Sequence, residues 1–312
     1  MAALLLGTVF WGCGFTWAKA AGEAVQHAAG LPRGAAFGPI FLLGWRFLIA
    51  SLVWFVAFPE SRRGWTLRGW GWAIIVGLPL GGGLIIQHVG LDRTSEAVSA
   101  FLTSLTILFV PLLMTFALRR PPRPVLWIGV ILATLGVWLM TGAQPRGFGL
   151  GEILGLGCAF LFSLYILAVN AAVTHQTPWR MVGAQFAITA AACFIACGFQ
   201  QGGPANLNPV RMASILAARS VWLNLALLIF FTTLVAFGLL TFFQPLLDPT
   251  RAALIYLAEP IFATLYAAVA AGHRASLMTL AGAALILIAN LLVEVLSSRT
   301  GSGIEEKVVL VD

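Results

Sequence analysis

Charge is the scarcest thing in this chain. Only 9% of its 312 residues are charged, against about 25% in a soluble domain. Mean hydropathy is +0.95. No water-facing surface can be assembled from that composition, so the solvent for most of the chain is lipid. Lysine is nearly missing. Lys19 and Lys307 are the only two, and neither follows a glycine-rich loop, so no Walker A sequence cradles a phosphate. H-E-x-x-H and G-x-S-x-G are also absent. The chain therefore reads as a non-enzyme that does not hydrolyse ATP and needs no cofactor. His27, His88, His175 and His273 are scattered over different loops and helix ends, which disfavours a metal site. Cys13, Cys158, Cys193 and Cys197 lie inside apolar runs, where free thiols are the default. Cys193 and Cys197 share a helix face, but two thiols alone are weak metal ligands. The net charge of +7 is not a nucleic-acid signal, because the arginines occupy short loops and form no basic domain. The first apolar run lacks a basic start and carries Lys19 at its far end, unlike a signal peptide.

What remains is apolar sequence. About ten runs of roughly 20 residues are long enough to span a bilayer. They lie near 2–25, 36–58, 69–90, 94–118, 125–141, 151–173, 178–199, 220–243, 249–271 and 276–296. Lipid offers no backbone partners, so these runs must be helices, and the alternation of a barrel strand is missing. With the N-terminus inside, ten arginines and lysines fall in cytoplasmic segments: Arg62, Arg63, Arg68, Arg119, Arg120, Arg123, Arg180, Arg251, Arg299 and Lys307. Six fall outside: Arg33, Arg93, Arg146, Arg211, Arg219 and Arg274. The bias favours both termini in the cytoplasm. The polar interruption from Gln200 to Arg219 reads as an external loop with a short interfacial helix.

The chain contains one stretch twice. Residues 248–293 begin DPTRAALIYLAEP, and the earlier copy begins at Asp92 with DRTSEAVSAFLTSL. With three residues dropped, Ala100 falls on Ala253, Phe109 on Phe262, Leu112 on Leu265 and Gly129 on Gly282. Before Asp92, Gly82 meets Gly238 and Leu91 meets Leu247. The repeat divides the chain into a five-helix half at 1–141, a linker at 142–150, a second half at 151–297 and a polar tail at 298–312. Five helices is an odd number, so the second half enters the membrane inverted. The expected fold is all-α transmembrane, ten helices as two inverted five-helix repeats.

WGCGF at 11–15, WRFLIA at 45–50, DRTSEAVSAFLTSL at 92–105 and DPTRAALIYLAEP at 248–260 resemble the drug/metabolite transporter superfamily, in its ten-helix EamA-type branch. LWIGVILATLGVWL at 126–139 and LAGAALILIANLLVE at 280–294 fit the close of each half. The resemblance implies two inverted five-helix repeats around a central cavity, in a bacterial inner-membrane protein, and export or facilitated movement of small metabolites, often amino acids. Two departures stand out. The turns after helices four and nine often read Gly-Glu-Arg in such proteins, but here they read Arg119-Arg120-Pro121 and Gly272-His273-Arg274. The proline expected beside Thr106 is Ile107.

Glu259 and Pro260 are the leading site candidates. A mid-membrane carboxylate costs about 2.5–3.5 kcal/mol on insertion scales, and Pro260 removes a backbone donor and kinks the helix. An acid at that depth can carry a proton, so protons join the expected partners; the alternative is a structural acid bonded across helices. Arg46, in helix two, cannot shed its charge. It either holds a substrate carboxylate, pairs with Glu259 or Glu96, or pins helices together. Lys19 reads as a snorkelling lysine or a site residue. GFTWAK at 14–19 resembles the first helix of small multidrug resistance proteins, whose essential glutamate falls at Trp11. Trp11 cannot exchange protons but can stack on an aromatic or cationic molecule. Tyr165 and Tyr256 are the better lining candidates among the remaining polar groups. Pro79, Gly82 and Gly238 are candidate hinges, while Gln87 and His88 at a helix end are placed at the interface. The expected partners are a small-molecule substrate and the lipid bilayer, with no nucleic acid and an open oligomeric state. An exporter of organic cations and a non-transporting scaffold or lipid-binding protein are the alternatives.

Overall fold

The computed structural model describes residues 2–117, 124–140, 149–247, 252, 255–256, 258–270 and 276–308. Helix accounts for 87% of it, and no strand occurs among the described residues. Helix α1 spans Ala2–Ala29, α2 Phe37–Ala57 and α3 Leu67–Leu91. Next come α4 (Glu96–Ser104), α5 (Thr106–Ala117) and α6 (Pro124–Met140). Helices α7 (Leu150–Ala172) and α8 (Pro178–Gly198) follow. After two short helices, α9 (Gly203–Asn206) and α10 (Pro209–Ala217), comes α11 (Arg219–Leu227). It passes through a π-helical segment, Leu228–Val235, into α12 (Ala236–Phe243). The last two are α13 (Glu259–Ala270) and α14 (Leu277–Val308).

Six stretches among the described residues are long and apolar enough to cross a membrane: Phe37–Ala57, Leu67–Leu91, Val98–Phe116, Leu150–Ala172, Pro178–Gly198 and Arg219–Leu246. Helices α4 and α5 form one of them together, and α11 to α12 another. Glu259–Ala270 and Leu277–Ala289 are shorter apolar helices. Large apolar side chains such as Val56, Ile75, Ile131, Ile195 and Val269 stand exposed. A soluble protein would not tolerate so many, whereas lipid requires them.

The core is built on close helix approach. Phe37, Phe41, Phe47 and Phe186 are fully buried at its centre. A side chain on Gly77 would reach within 2.7 Å of Ile188, and one on Gly83 within 2.7 Å of Phe162, so α3 lies flush on α8 and α7. The candidate hinges Pro79 and Gly82 both lie inside α3, which runs on to Leu91. The Gln200 to Arg219 interruption holds two short helices. Asn208 caps α10 by accepting from the Val210 N–H at 3.0 Å, with Pro209 in the first turn.

Several expected features lie outside the described residues. They are Arg119, Arg120, Pro121 and Arg123, linker residues 142–148 with Arg146, the 248–251 segment from Asp248 to Arg251, and the turn holding Gly272, His273 and Arg274.

Candidate functional site

A cavity of about 90 Å3 opens between α1, α2, α3, α4, α7, α12 and α13. One water needs about 10–15 Å3 on such a measure, so the space suits a small organic molecule. Trp11, Arg46, Tyr165, Tyr256 and Glu259 line it together, although they are spread from residue 11 to residue 259.

Two glycines set α1 against its neighbours. A side chain on Gly12 would meet Phe262 Cβ at 2.7 Å and the Ala263 nitrogen at 2.8 Å. One on Gly14 would meet Thr232 Cγ2 at 2.8 Å. Helix α1 therefore lies directly on α13 and on the π-helical segment. Trp11 then donates from its indole to the Thr232 carbonyl at 3.1 Å, with its ring 5.0 Å from Phe237 and 5.5 Å from Tyr256.

Arg46 is 3% exposed, and its Nε donates to Thr233 Oγ1 at 2.6 Å. The π-helical turn presents that hydroxyl, and Thr233 in turn donates to the Leu228 carbonyl five residues back at 3.0 Å. Glu259 is buried, and among the described residues no cation lies within ion-pair distance of its carboxylate. The sequence suggested that Arg46 pairs with Glu259 or Glu96. The structure pairs Glu96 with Lys19 at 3.6 Å and holds Arg46 through Thr233.

Glu259 opens α13 rather than standing inside a continuous helix. The Ala258 N–H bonds the Ile255 carbonyl at 3.2 Å, a tightened turn, and Pro260 occupies the second helical position where no donor is needed. The acid thus sits at a helix N-terminus, which favours negative charge.

Tyr165 and Tyr256 carry their hydroxyls away from the cavity into amide networks. Tyr165 donates to Gln185 Oε1 at 3.1 Å, and Gln185 donates to Thr241 Oγ1 at 2.9 Å. Tyr256 donates to Gln244 Oε1 at 3.0 Å, and Gln244 donates to Asn170 Oδ1 at 2.7 Å. Lys19 stands one residue beyond the lining residue Ala18 and donates to the Thr94 carbonyl at 3.3 Å. Its ammonium pairs with Glu96, just before the span that begins at Val98.

Gln87 and His88, expected at a helix end away from substrate, are buried and line the cavity, because α1 and α4 pack on the end of α3. Gln87 donates to Thr103 Oγ1 at 2.9 Å. His88 Nδ1 lies 3.0 Å from the Leu84 carbonyl, which can only accept, so Nδ1 carries the proton. Nε2 is left buried without a protein partner. Thr103, Ser104 and Thr106 also line the wall where α4 gives way to α5. A side chain on Gly238, just beyond the π-helical segment, would meet the Trp54 ring at 3.5 Å. No cluster of three metal-ligating side chains occurs among the described residues.

Comparisons with known proteins agree with this architecture. The sequence profile of the EamA-like transporter family matches residues 1–142 and 149–295. An uncharacterized transporter from Archaeoglobus fulgidus is 28% identical over 251 residues, covering 80% of this chain and 74% of that protein. A solved crystal structure superimposes with a TM-score of 0.60 at 20% identity, covering 94% of this chain and 98% of the other. That likeness is one of fold.

Proposed function

We propose, from the premise that this chain belongs to the EamA-like transporter family, that it moves a small organic metabolite through the central cavity by alternating access. Amino acids are the leading class and export the direction. One observation carries this: Arg46 and Glu259 line the same small cavity without forming an ion pair with each other. Burying two unneutralised charges is costly, and a zwitterion with a carboxylate for Arg46 and an ammonium for Glu259 relieves both at once. Glu259 is then also the candidate proton carrier.

Ten helices in two inverted halves is the reading that best accounts for the packing. Helix α1 packs on α11 and α12 as α7 packs on α3, α2 meets α8, and α6 meets α14. The fourth span breaks at Leu105, and the chain tightens before Glu259. These positions correspond under the alignment that places Ala100 on Ala253. The arginine bias favours both termini in the cytoplasm of a bacterial inner membrane.

Each end of the cavity carries a polar bridge. Thr94 donates to Glu152 at one end of α7, beside the Lys19–Glu96 pair. Asn170 joins Gln244 near the other end of the same helix, about 27 Å away at 1.5 Å per residue. Rocking that opens one bridge while the other stays closed would expose the cavity to one side at a time.

A second reading, an exporter of organic cations, draws on Trp11, Phe237 and Tyr256, whose rings cluster in the wall that holds Glu259. Aromatic faces beside a carboxylate suit a cation. Counterflow uptake in proteoliposomes separates the two. We expect amino-acid uptake that follows a pH gradient, becomes uncoupled in Glu259→Gln and fails in Arg46→Gln. Uptake of cations alone, surviving Arg46→Gln, would replace the first reading with the second. Function retained with a matched apolar pair at both positions would point to a scaffold.

A further inference from the structure

At the end where α2 finishes and α3 begins, guanidinium groups outnumber acids: Arg62, Arg63, Arg68 and Arg180 gather around the loop that carries Glu60. Gly64 has φ +70°, a left-handed conformation that glycine tolerates, and a side chain there would meet the Arg180 guanidinium 2.5 Å away. The bare glycine lets Arg180, from the start of α8, lie over the α2–α3 loop at Gly64, the residue that follows Arg63. Arg62, Arg63 and Arg68 on that loop and first turn are exposed. Arg180 Nε is buried with no hydrogen-bond partner. Among the described residues, none of the four forms an ion pair. Like charges gathered this way repel, and a buried guanidinium N–H without an acceptor is costly.

A lipid-facing ridge starts at the same place. Leu67 is 93% exposed, and Trp70, Ile74 and Leu78 continue down one face of α3 at helical spacing, each more than 40% exposed. The ring of Trp70 is stacked on Trp65 at 4.5 Å, as suits an interfacial anchor.

We propose that this corner is a binding site for an anionic phospholipid. The phosphate lies between Arg63 and Arg180, and the acyl chains follow Leu67, Trp70, Ile74 and Leu78. The arginines ask for a bidentate anion, and the ridge asks for hydrocarbon. A soluble phosphate satisfies only the first, and a zwitterionic lipid brings a cation into a basic cluster.

The test is native mass spectrometry of the detergent-solubilised full chain with phosphatidylglycerol or phosphatidylcholine. Phosphatidylglycerol should be retained preferentially. Arg63→Gln/Arg180→Gln should bind it about tenfold more weakly, as expected for losing charge-assisted hydrogen bonds. Arg211→Gln/Arg219→Gln, exposed at the other membrane boundary, should leave retention unchanged. Ile74→Ser/Leu78→Ser should weaken lipid binding with the arginines intact. Equal retention in the Arg63/Arg180 variant and the unaltered chain would overturn the proposal. So would displacement of the lipid by millimolar inorganic phosphate with no effect of the serine changes, which would mark a soluble-anion site.

Discussion

At the scale of single residues, Arg46 lies over the Phe47 ring at 5.1 Å and donates a hydrogen bond to Thr233. Its bond to Thr233 is short, buried and made to a charge, and such bonds contribute about 1.5–3 kcal/mol. Thr233→Val keeps the shape and removes the acceptor, so thermal unfolding in detergent should fall by that order, while Thr233→Ser should hold near the original value. Asp92, just past the end of α3, makes a pH-dependent contribution. Burial pushes its carboxyl above the ordinary 3.8, and the Gln26 amide, Arg93 and Lys19 pull it down while Glu23 pushes it up. The folded chain therefore holds this proton to higher pH than the unfolded chain does. The stability from this group is full below 3.8 and is lost as pH rises through the raised value. Asp92→Asn can still accept from Gln26 and has no charge to bury. Its unfolding temperature should exceed that of the unaltered chain at neutral pH, and its pH profile above 3.8 should be flatter.

At the scale of helices, the decisive contacts are those where backbones touch. Gly12→Ala would drive a methyl group into Phe262 and the Ala263 backbone, and backbone cannot move aside as a flexible side chain can. The cost should be about 1–3 kcal/mol, with Glu259 displaced from beside Trp11. Gly71→Ala, with nothing within 4 Å, should be neutral or stabilising by about 0.5–1 kcal/mol through helix propensity. Scanning fluorimetry of the two variants checks both signs. Helices of this kind were largely legible in the sequence, because lipid forces each long apolar run to satisfy its backbone internally. Their irregularities were not. The break at Leu105 has no proline beside it, and the π-helical turn that aims Thr233 at Arg46 has no composition of its own. That Gln87 and His88 line the cavity is hidden from the sequence for a related reason. Position along an apolar run gives depth, but which helices wrap its end depends on tilt and neighbours. The cavity residues Trp11, Arg46, Tyr165, Tyr256 and Glu259 could be named because polar and aromatic groups are expensive or conspicuous in lipid. The threonines that support them carry no such mark.

At the scale of the whole molecule, the proposed alternation sets a polar bridge of different chemistry at each end of the cavity, which makes it testable without knowing the cargo. One end is held by the ion pair of Lys19 with Glu96, and the other by the neutral chain from Tyr256 through Gln244 to Asn170. Removing one bridge should favour the state open at that end, because it raises the energy of the closed form there and leaves the other bridge intact. In a chain whose four native cysteines are replaced, a single reporter at Ala18, buried beside the cavity, reads this out. Glu96→Gln should speed labelling by a membrane-impermeant maleimide applied from the Lys19 side, and Gln244→Leu should speed it from the opposite side. High salt should mimic Glu96→Gln and leave the amide end unaffected, since screening weakens ion pairs. If both substitutions open the reporter to the same side, the cavity has a single mouth, and the molecule acts as a channel or a one-sided receptor. If they open it to opposite sides, the two halves work against each other, and the cavity is where the cargo waits between them.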